Sequence, residues 1–276
     1  MRRFLFLFLL FSCGFVMAEL QKNPDENTLW QITSPDLKEW KGTGVKIEKR
    51  EKGFSLSNES ASVKMPHSIM RKVPVDPEYP YLVFETVSLN TFKGYRAWFT
   101  GLRESQNQFG SIVNGEPGIV AINCFENPAK NYVKNQATLQ FYMINFKADF
   151  LYMKMVKKPD NYITVTGDFT SRKSLQPGDK VKFTVYLKES AEEVSLKLIY
   201  KKWLYTIKVN GNEVIELTPE DKDQKIWSAE VPVKSLKCSK GSSFKKGEIL
   251  LRAVVLGGNV NVPLWTALQY SFESKK

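Results

Sequence analysis

A single histidine, His67, and three cysteines stand in a chain of 276 residues, and these two shortages exclude most catalytic chemistry. With one histidine a Ser-His-Asp triad has one place to form, and no G-x-S-x-G turn offers its nucleophile. Zinc sites built from His and Cys lack ligands at close spacing. Gly42-Thr43-Gly44 is not followed by the third glycine of a dinucleotide loop, and no Walker sequence is present. Long apolar runs are equally scarce: the one at residues 4–11 falls well short of the roughly 20 residues of a membrane helix, and helical periodicity is missing at useful length. Among the acids, Glu85 is alone in its segment, while Glu192-Glu193 and Glu220, Asp221 and Asp223 fall in turns, so no carboxylate pair is marked for glycosidic hydrolysis. Calcium loops are not marked either, since neither the acids at 220–223 nor Asp160 with Asp168 have the required spacing. The reading is of a noncatalytic protein without metal or cofactor.

What is present begins with an export signal. Met1-Arg2-Arg3 precedes the apolar run at residues 4–11, and Val16-Met17-Ala18 supplies the small residues that a signal peptidase reads, so cleavage is expected after Ala18. A rival reading takes Leu10-Phe11-Ser12-Cys13 as a lipoprotein box with Cys13 as a lipid-bearing N-terminus, although Phe11 fits such a box poorly. Both place the protein outside the cytoplasm, secreted, periplasmic or at the cell surface. Removing Arg2 and Arg3 leaves 38 Lys and Arg against 29 Asp and Glu, a net charge of +9. Cys124 and Cys238 then remain, expected as two free thiols, with a disulfide between them as the alternative.

Along the chain the period is two, that of a strand with one face in a core. Residues 19–25 are polar and expected to fray. Residues 43–49, 53–57 and 61–65 read as short strands. Residues 66–80 hold prolines at 66, 74, 77 and 80 and read as an irregular surface connection carrying a solvated His67. Residues 81–89 are apolar on both faces and therefore central to a sheet. Residues 95–102, 119–125, 138–146 and 149–156 follow as strands, with a polar loop at 103–118. Lys157-Lys158-Pro159-Asp160-Asn161 reads as a linker. Beyond it, Pro177-Gly178 suits a type II turn that leads into residues 180–188, where Val181, Phe183, Val185 and Leu187 alternate with polar residues. Asn210-Gly211 between alternating runs predicts a hairpin. The expected fold is all-β: a signal peptide at 1–18, then tandem β-sandwiches at 19–158 and 159–276.

Two surfaces are candidates for binding. Tyr95, Arg96 and Trp98 lie on one expected strand, with Arg96 and Trp98 in phase and Tyr95 out of phase, beside a loop containing Gln106 and Asn107. Sugar C–H faces pack on aromatic rings while polar side chains take the hydroxyls, and this set forms the best ligand-binding patch. Basic residues form the other: Lys234, Lys237, Lys240, Lys245 and Lys246 occur without an intervening acid, and Lys154, Lys157 and Lys158 flank the linker. A basic exported surface favours acidic glycans or anionic membranes. No nucleic-acid recognition motif accompanies it.

Tyr81-Leu82-Val83-Phe84-Glu85 and Ala148-Asp149-Phe150-Leu151-Tyr152-Met153-Lys154-Met155-Val156 resemble the central and closing strands of the galactose-binding-type jelly roll of secreted carbohydrate-binding modules. Lys208-Val209-Asn210-Gly211-Asn212-Glu213-Val214 and Lys225-Ile226-Trp227-Ser228-Ala229-Glu230-Val231 resemble the middle strands of an immunoglobulin or fibronectin type III domain. The resemblance implies a jelly roll followed by an immunoglobulin-like sandwich. The function expected from export, aromatics and loops is noncatalytic binding of a polysaccharide or other glycan, with an acidic one in view. The alternatives are a structural or adhesive protein that binds a protein partner, and a glycoside hydrolase or lyase whose carboxylates are not paired in sequence.

Overall fold

Strands account for nearly all of the regular structure, as the period of two requires. The computed structural model describes residues 20–33, 39–42, 46–58, 67–91, 95–100, 111–113, 117–125, 135–143, 146–167, 174–176, 178–200, 205–238, 249–256, 264–268 and 271–272. The expected signal peptide with Cys13, and the expected strand at 61–65, lie outside them. In chain order the first strands are β1 (Gln21–Asp25), β2 (Thr28–Ile32), β3 (Lys41–Gly42), β4 (Lys46–Lys49), β5 (Phe54–Asn58), β6 (His67–Pro74), β7 (Tyr81–Thr91), β8 (Tyr95–Thr100), β9 (Ser111–Val113), β10 (Gly118–Asn123), β11 (Gln136–Met143) and β12 (Phe146–Val156). Then come β13 (Tyr162–Gly167), β14 (Ser174–Leu175), β15 (Lys180–Tyr186), β16 (Glu193–Tyr200), β17 (Tyr205–Val209), β18 (Ile215–Glu216), β19 (Thr218–Pro219), β20 (Ile226–Pro232), β21 (Leu236–Cys238), β22 (Ile249–Leu256), β23 (Leu264–Leu268) and β24 (Ser271–Phe272). Among the described residues the only helical element is one 3-10 turn at Val233–Ser235.

One sheet of 13 strands runs through both halves of the chain, in the order β1-β2-β12-β7-β10-β23-β22-β16-β17-β21, with β5 and β18 attached to β12 and β16 and β4 attached to β5. Its halves meet where β10 pairs in parallel with β23, Ile119 opposite Leu264 and Val120 opposite Trp265. A five-stranded sheet (β3-β6-β11-β8-β9) and a four-stranded sheet (β13-β15-β20-β19) complete the main layers, and β14 pairs in parallel with β24.

The central strands of the large sheet bury side chains on both faces. Leu82 and Phe84 of β7, Val120 and Ile122 of β10, and Phe150, Met153 and Met155 of β12 enter one core. Val83, Ala121 and Val156 of the same three strands enter a second. The first core joins the large sheet to the five-stranded one. Phe141 on β11 meets Phe84 and Phe150 edge-on at 5.9 and 5.7 Å, and Phe54 stacks on Phe150 at 5.5 Å. Such pairs contribute about 0.5–1.5 kcal/mol each beyond simple burial. The Trp30 indole N–H adds a bond to the Pro74 carbonyl at 2.9 Å. The second core collects Val181, Phe183 and Val185 from β15, Val194, Leu196 and Leu198 from β16, and Trp227 and Val231 from β20.

Several expectations are corrected. Residues 21–25 do not fray: Gln21 and Lys22 pair with Gln31 and Trp30, so the strand is held by its neighbour despite its polarity. The stretch containing His67 is not an irregular connection but β6, because its prolines fall at or beyond its ends while Ile69, Arg71 and Val73 point inward in alternation. The Asn210-Gly211 turn forms, with φ of 50° and 90° and reciprocal bonds between Val209 and Asn212 at 2.8 and 2.9 Å. The run after it does not continue the hairpin. It turns to β16 instead, where Leu217 donates to the Val194 carbonyl at 3.0 Å and is buried in the second core. The turn at 176–179 is closed by Asp179, whose N–H donates to the Gln176 carbonyl at 3.0 Å and whose carboxylate accepts from the Gln176 N–H at 2.7 Å.

Gly53, between β4 and β5, has φ of 81°, and a Cβ there would lie 1.9 Å from the Phe150 carbonyl oxygen. Backbone cannot yield as a flexible side chain can. Gly53→Ala is expected to destabilise the protein by at least about 2 kcal/mol in urea unfolding, whereas Gly178→Ala, with nothing within 4 Å, should leave the midpoint almost unchanged.

Candidate functional site

The expected patch on β8 is described in its backbone. Trp98 pairs with Gln140 and Arg96 with Tyr142, while Ala97 and Phe99 pair with Phe141 and Leu139, both buried. Directly paired positions share a face of a sheet, so Trp98 and Arg96 hold register positions on the face carrying Gln140. The side chains of Tyr95, Arg96 and Trp98 lie outside the described residues, as do Gln106 and Asn107 entirely and Lys240, Lys245 and Lys246 of the basic run.

The join between the halves carries a cleft of about 500 Å³, and its walls come from four separated segments. One wall is a cross-strand row. Tyr162 of β13 pairs with Tyr186 of β15, which pairs with Ile226 of β20. Tyr186 is in phase with Lys182 and Thr184, opposite to the Val181, Phe183 and Val185 face. The Tyr162 and Tyr186 rings stack at 4.6 Å with an interplanar angle of 10°, and Tyr81 of β7 tilts against Tyr162 at 5.7 Å. Among the described residues no further ring covers Tyr186. Leu187 floors this wall, and Asp221, Lys225 and Lys188 rise beside it.

The rest of the lining is Lys158, Pro159 and Asp160, held by Asn27 at the β1–β2 turn. Asn27 Nδ2 donates to the Lys158 carbonyl at 2.8 Å, its Oδ1 accepts from the Lys158 N–H at 3.0 Å, and its own carbonyl accepts from Lys157 at 2.8 Å. Asn161 Oδ1 accepts from the Lys188 N–H at 3.1 Å, and Pro159 is buried. The segment is therefore fixed on both sides.

Charge around the cleft is mostly committed. Asp221 Oδ1 accepts the N–H groups of Lys225 and Ile226, each at 2.9 Å, which shapes the turn entering β20. Glu220 accepts from Ser228 and from Lys182, and these bonds hold its carboxyl below the usual range. Lys188 lies 3.8 Å from Asp160. Of the lysines expected at the join, Lys154 sits 5.1 Å over Tyr152 and Lys157 4.9 Å over Tyr79. Tyr152 donates to Glu85, and burial, then the Glu85 charge and this bond, push its hydroxyl well up. Cys124 is free and buried, its thiol raised by desolvation and directed at the Ile122 carbonyl at 3.6 Å.

Tyr162 and Tyr186 were not among the residues that sequence reasoning singled out. Their signal was an aromatic on the polar phase of its strand: Tyr186 alternates with Phe183 and Val185 but keeps step with Lys182. The assembly of four segments had no local signal.

No protein-family model matches the chain, and no curated protein matches it. Solved structures align over most of its length at low similarity. A β-glucuronidase of Faecalibacterium prausnitzii is 10% identical, with 93% of this chain and 48% of that one aligned and a TM-score of 0.27. A DUF4785 family protein of Legionella pneumophila is 13% identical over 88% and 63%, with a TM-score of 0.27. The adhesin domain of Epf from Streptococcus pyogenes is 11% identical over 93% and 92%, with a TM-score of 0.23. The chain thus spans about half the length of the glucuronidase and under two thirds of the Legionella protein. Likeness at this level fixes neither a family nor an activity.

Burial, with the neighbouring Tyr81 and Tyr186 adding to it, pushes the Tyr162 hydroxyl up from 10 to about 12. Folding therefore favours the protonated ring, and this contribution is complete below pH 10 and lost as the pH rises through about 12. Tyr162→Phe, which has no proton to lose, is expected to move the midpoint of alkaline unfolding upward, read by circular dichroism alongside tyrosinate absorbance. In urea at neutral pH, Asn27→Ala should cost about 1 kcal/mol through its two lost side-chain bonds.

Proposed function

We propose that the protein is an exported, noncatalytic glycan-binding protein, built as a jelly-roll sandwich at residues 19–158 and an immunoglobulin-like sandwich at 159–276 that follow a cleaved signal peptide. The observation that carries the binding role is the stacked Tyr162–Tyr186 pair on the wall of a cleft rimmed by lysines, aspartates and an asparagine. A sugar ring has what this wall needs: C–H groups for the outer face of Tyr186, and hydroxyls for Asp160, the lysine ammoniums and exposed backbone. A stacked pair loses little conformational freedom when a ligand arrives, since each ring already holds the other.

Support for a role without catalysis comes from the commitments of the cleft acids. Asp221 Oδ1 accepts two backbone N–H groups that shape a turn and Asp160 faces Lys188, so both carboxylates are already engaged. Trp98 and Arg96 are retained as a second candidate surface, since register places them with Gln140 on one face of the five-stranded sheet.

A glycan array probed with the purified protein tests this reading. Binding is expected to at least one polysaccharide class, and Tyr186→Ala should weaken it about tenfold, or ~1.4 kcal/mol, with an unchanged circular dichroism spectrum. Absence of binding to every glycan overturns the reading, and release of reducing sugar overturns the noncatalytic component. Loss of binding in Trp98→Ala with full binding in Tyr186→Ala moves the site to the five-stranded sheet.

A further inference from the structure

Sorting the lysines in and around the cleft by their partners separates two from the rest. Lys154 and Lys157 lie over tyrosine rings, Lys182 bonds Glu220, and Lys188 faces Asp160. Lys158 and Lys225 have no carboxylate partner among the described residues. They stand on different segments of the same cleft, Lys158 beside Pro159 and Lys225 at the entrance to β20, with the Tyr162–Tyr186 pair in the same wall system. Three lysines and two aspartates line the cleft, and one of those aspartates has an oxygen saturated by two backbone N–H groups. The uncompensated charge is positive.

We infer that the ligand of this cleft is an anionic glycan, one whose sugar ring stacks on Tyr186 while a carboxylate or sulfate reaches the ammonium groups of Lys158 and Lys225. This rests on the glycan-binding reading and narrows it. Neutral sugars offer the two ammoniums only hydroxyls and no charge to balance theirs. An acidic sugar satisfies both features with one residue or two neighbouring ones. The segment bearing Lys158 is held by Asn27 on one side and Asn161 on the other, so the backbone from which this side chain extends is positioned before the ligand arrives. The two ammoniums belong to segments that share no strand, which favours a ligand long enough to touch both segments. Such contacts are exposed enough to weaken with salt.

Affinity electrophoresis with three matched supports tests the inference: neutral dextran, dextran sulfate and polygalacturonate. Retardation is expected by one or both acidic polymers and not by neutral dextran, and the arm that responds tells sulfate from carboxylate. Lys158→Glu with Lys225→Glu should lower affinity at least tenfold at low ionic strength. The control is the same charge change at Lys49 and Lys52, both exposed at the β4–β5 turn, which contributes no residue to the cleft or to the Trp98 face; it should lower affinity less than twofold. Equal losses from both double variants would mean adsorption by overall charge and overturn the inference. Binding to neutral glycans that survives Lys158→Glu with Lys225→Glu but fails in Tyr186→Ala overturns the anionic class alone and leaves the parent reading standing. Absence of binding to all three polymers and to a broad array overturns both. Binding only to phosphatidylglycerol vesicles likewise overturns both.

Discussion

The fold depends on three adjacent strands that bury side chains on both faces. β12, β7 and β10 put Phe84, Val120, Ile122, Phe150 and Met153 into one core and Val83, Ala121 and Val156 into the other. Removing water from both faces leaves no room for polar side chains along most of this wall, and the exceptions have partners. Thr86, fully buried, exchanges bonds with Gly118 across the strand pair, and Tyr152 on the second face gives its hydroxyl to Glu85. A wall shared by two cores also ties their stabilities together. Strand slippage by one residue would exchange the two sets of side chains, which differ in size, and both cores would lose their packing at once.

The cleft is a product of that arrangement. Where the shared wall ends, Tyr81 reaches beyond it to Tyr162, and the 157–161 segment crosses from one sheet to the next under the hold of Asn27 and Asn161. Aromatic rings accumulate at the crossing because they cover the ends of two cores with side chains that still present a polar tip to water. Lysines then cover the rings, as Lys154 does Tyr152 and Lys157 does Tyr79. The aromatic and basic signals that the sequence shows separately thus meet in lysine–tyrosine contacts near the join.

Legibility followed locality. Val181, Phe183 and Val185 announced β15, and the apolar residues on both phases of 81–89 announced a central strand, because a pleat records its faces in neighbouring residues. β6 was obscured by prolines whose harm falls at its ends, and β1 by polar residues that its partner β2 holds by backbone pairing and a Thr28–Asp25 side-chain bond. The Asn-Gly turn was legible but the path after it was not, since the burial of Leu217 against β16 depends on a core assembled from distant strands. The candidate site was least legible for the same reason. Lys154, Lys157 and Lys158 could be noticed as a basic group, yet nothing near them in sequence shows that Tyr186 and Asp221 complete the cleft.

The parallel pairing of β10 with β23 joins residues that are more than half the chain apart. No hairpin can make that junction, and the large sheet stays open there until the last tenth of the polypeptide is available. Closing so large a loop is slow relative to forming the hairpins on either side of it. Until then the edges of β10 and β23 expose unpaired backbone groups that invite association with other chains. The topology thus makes the seam the place where crowding during folding would do the most harm.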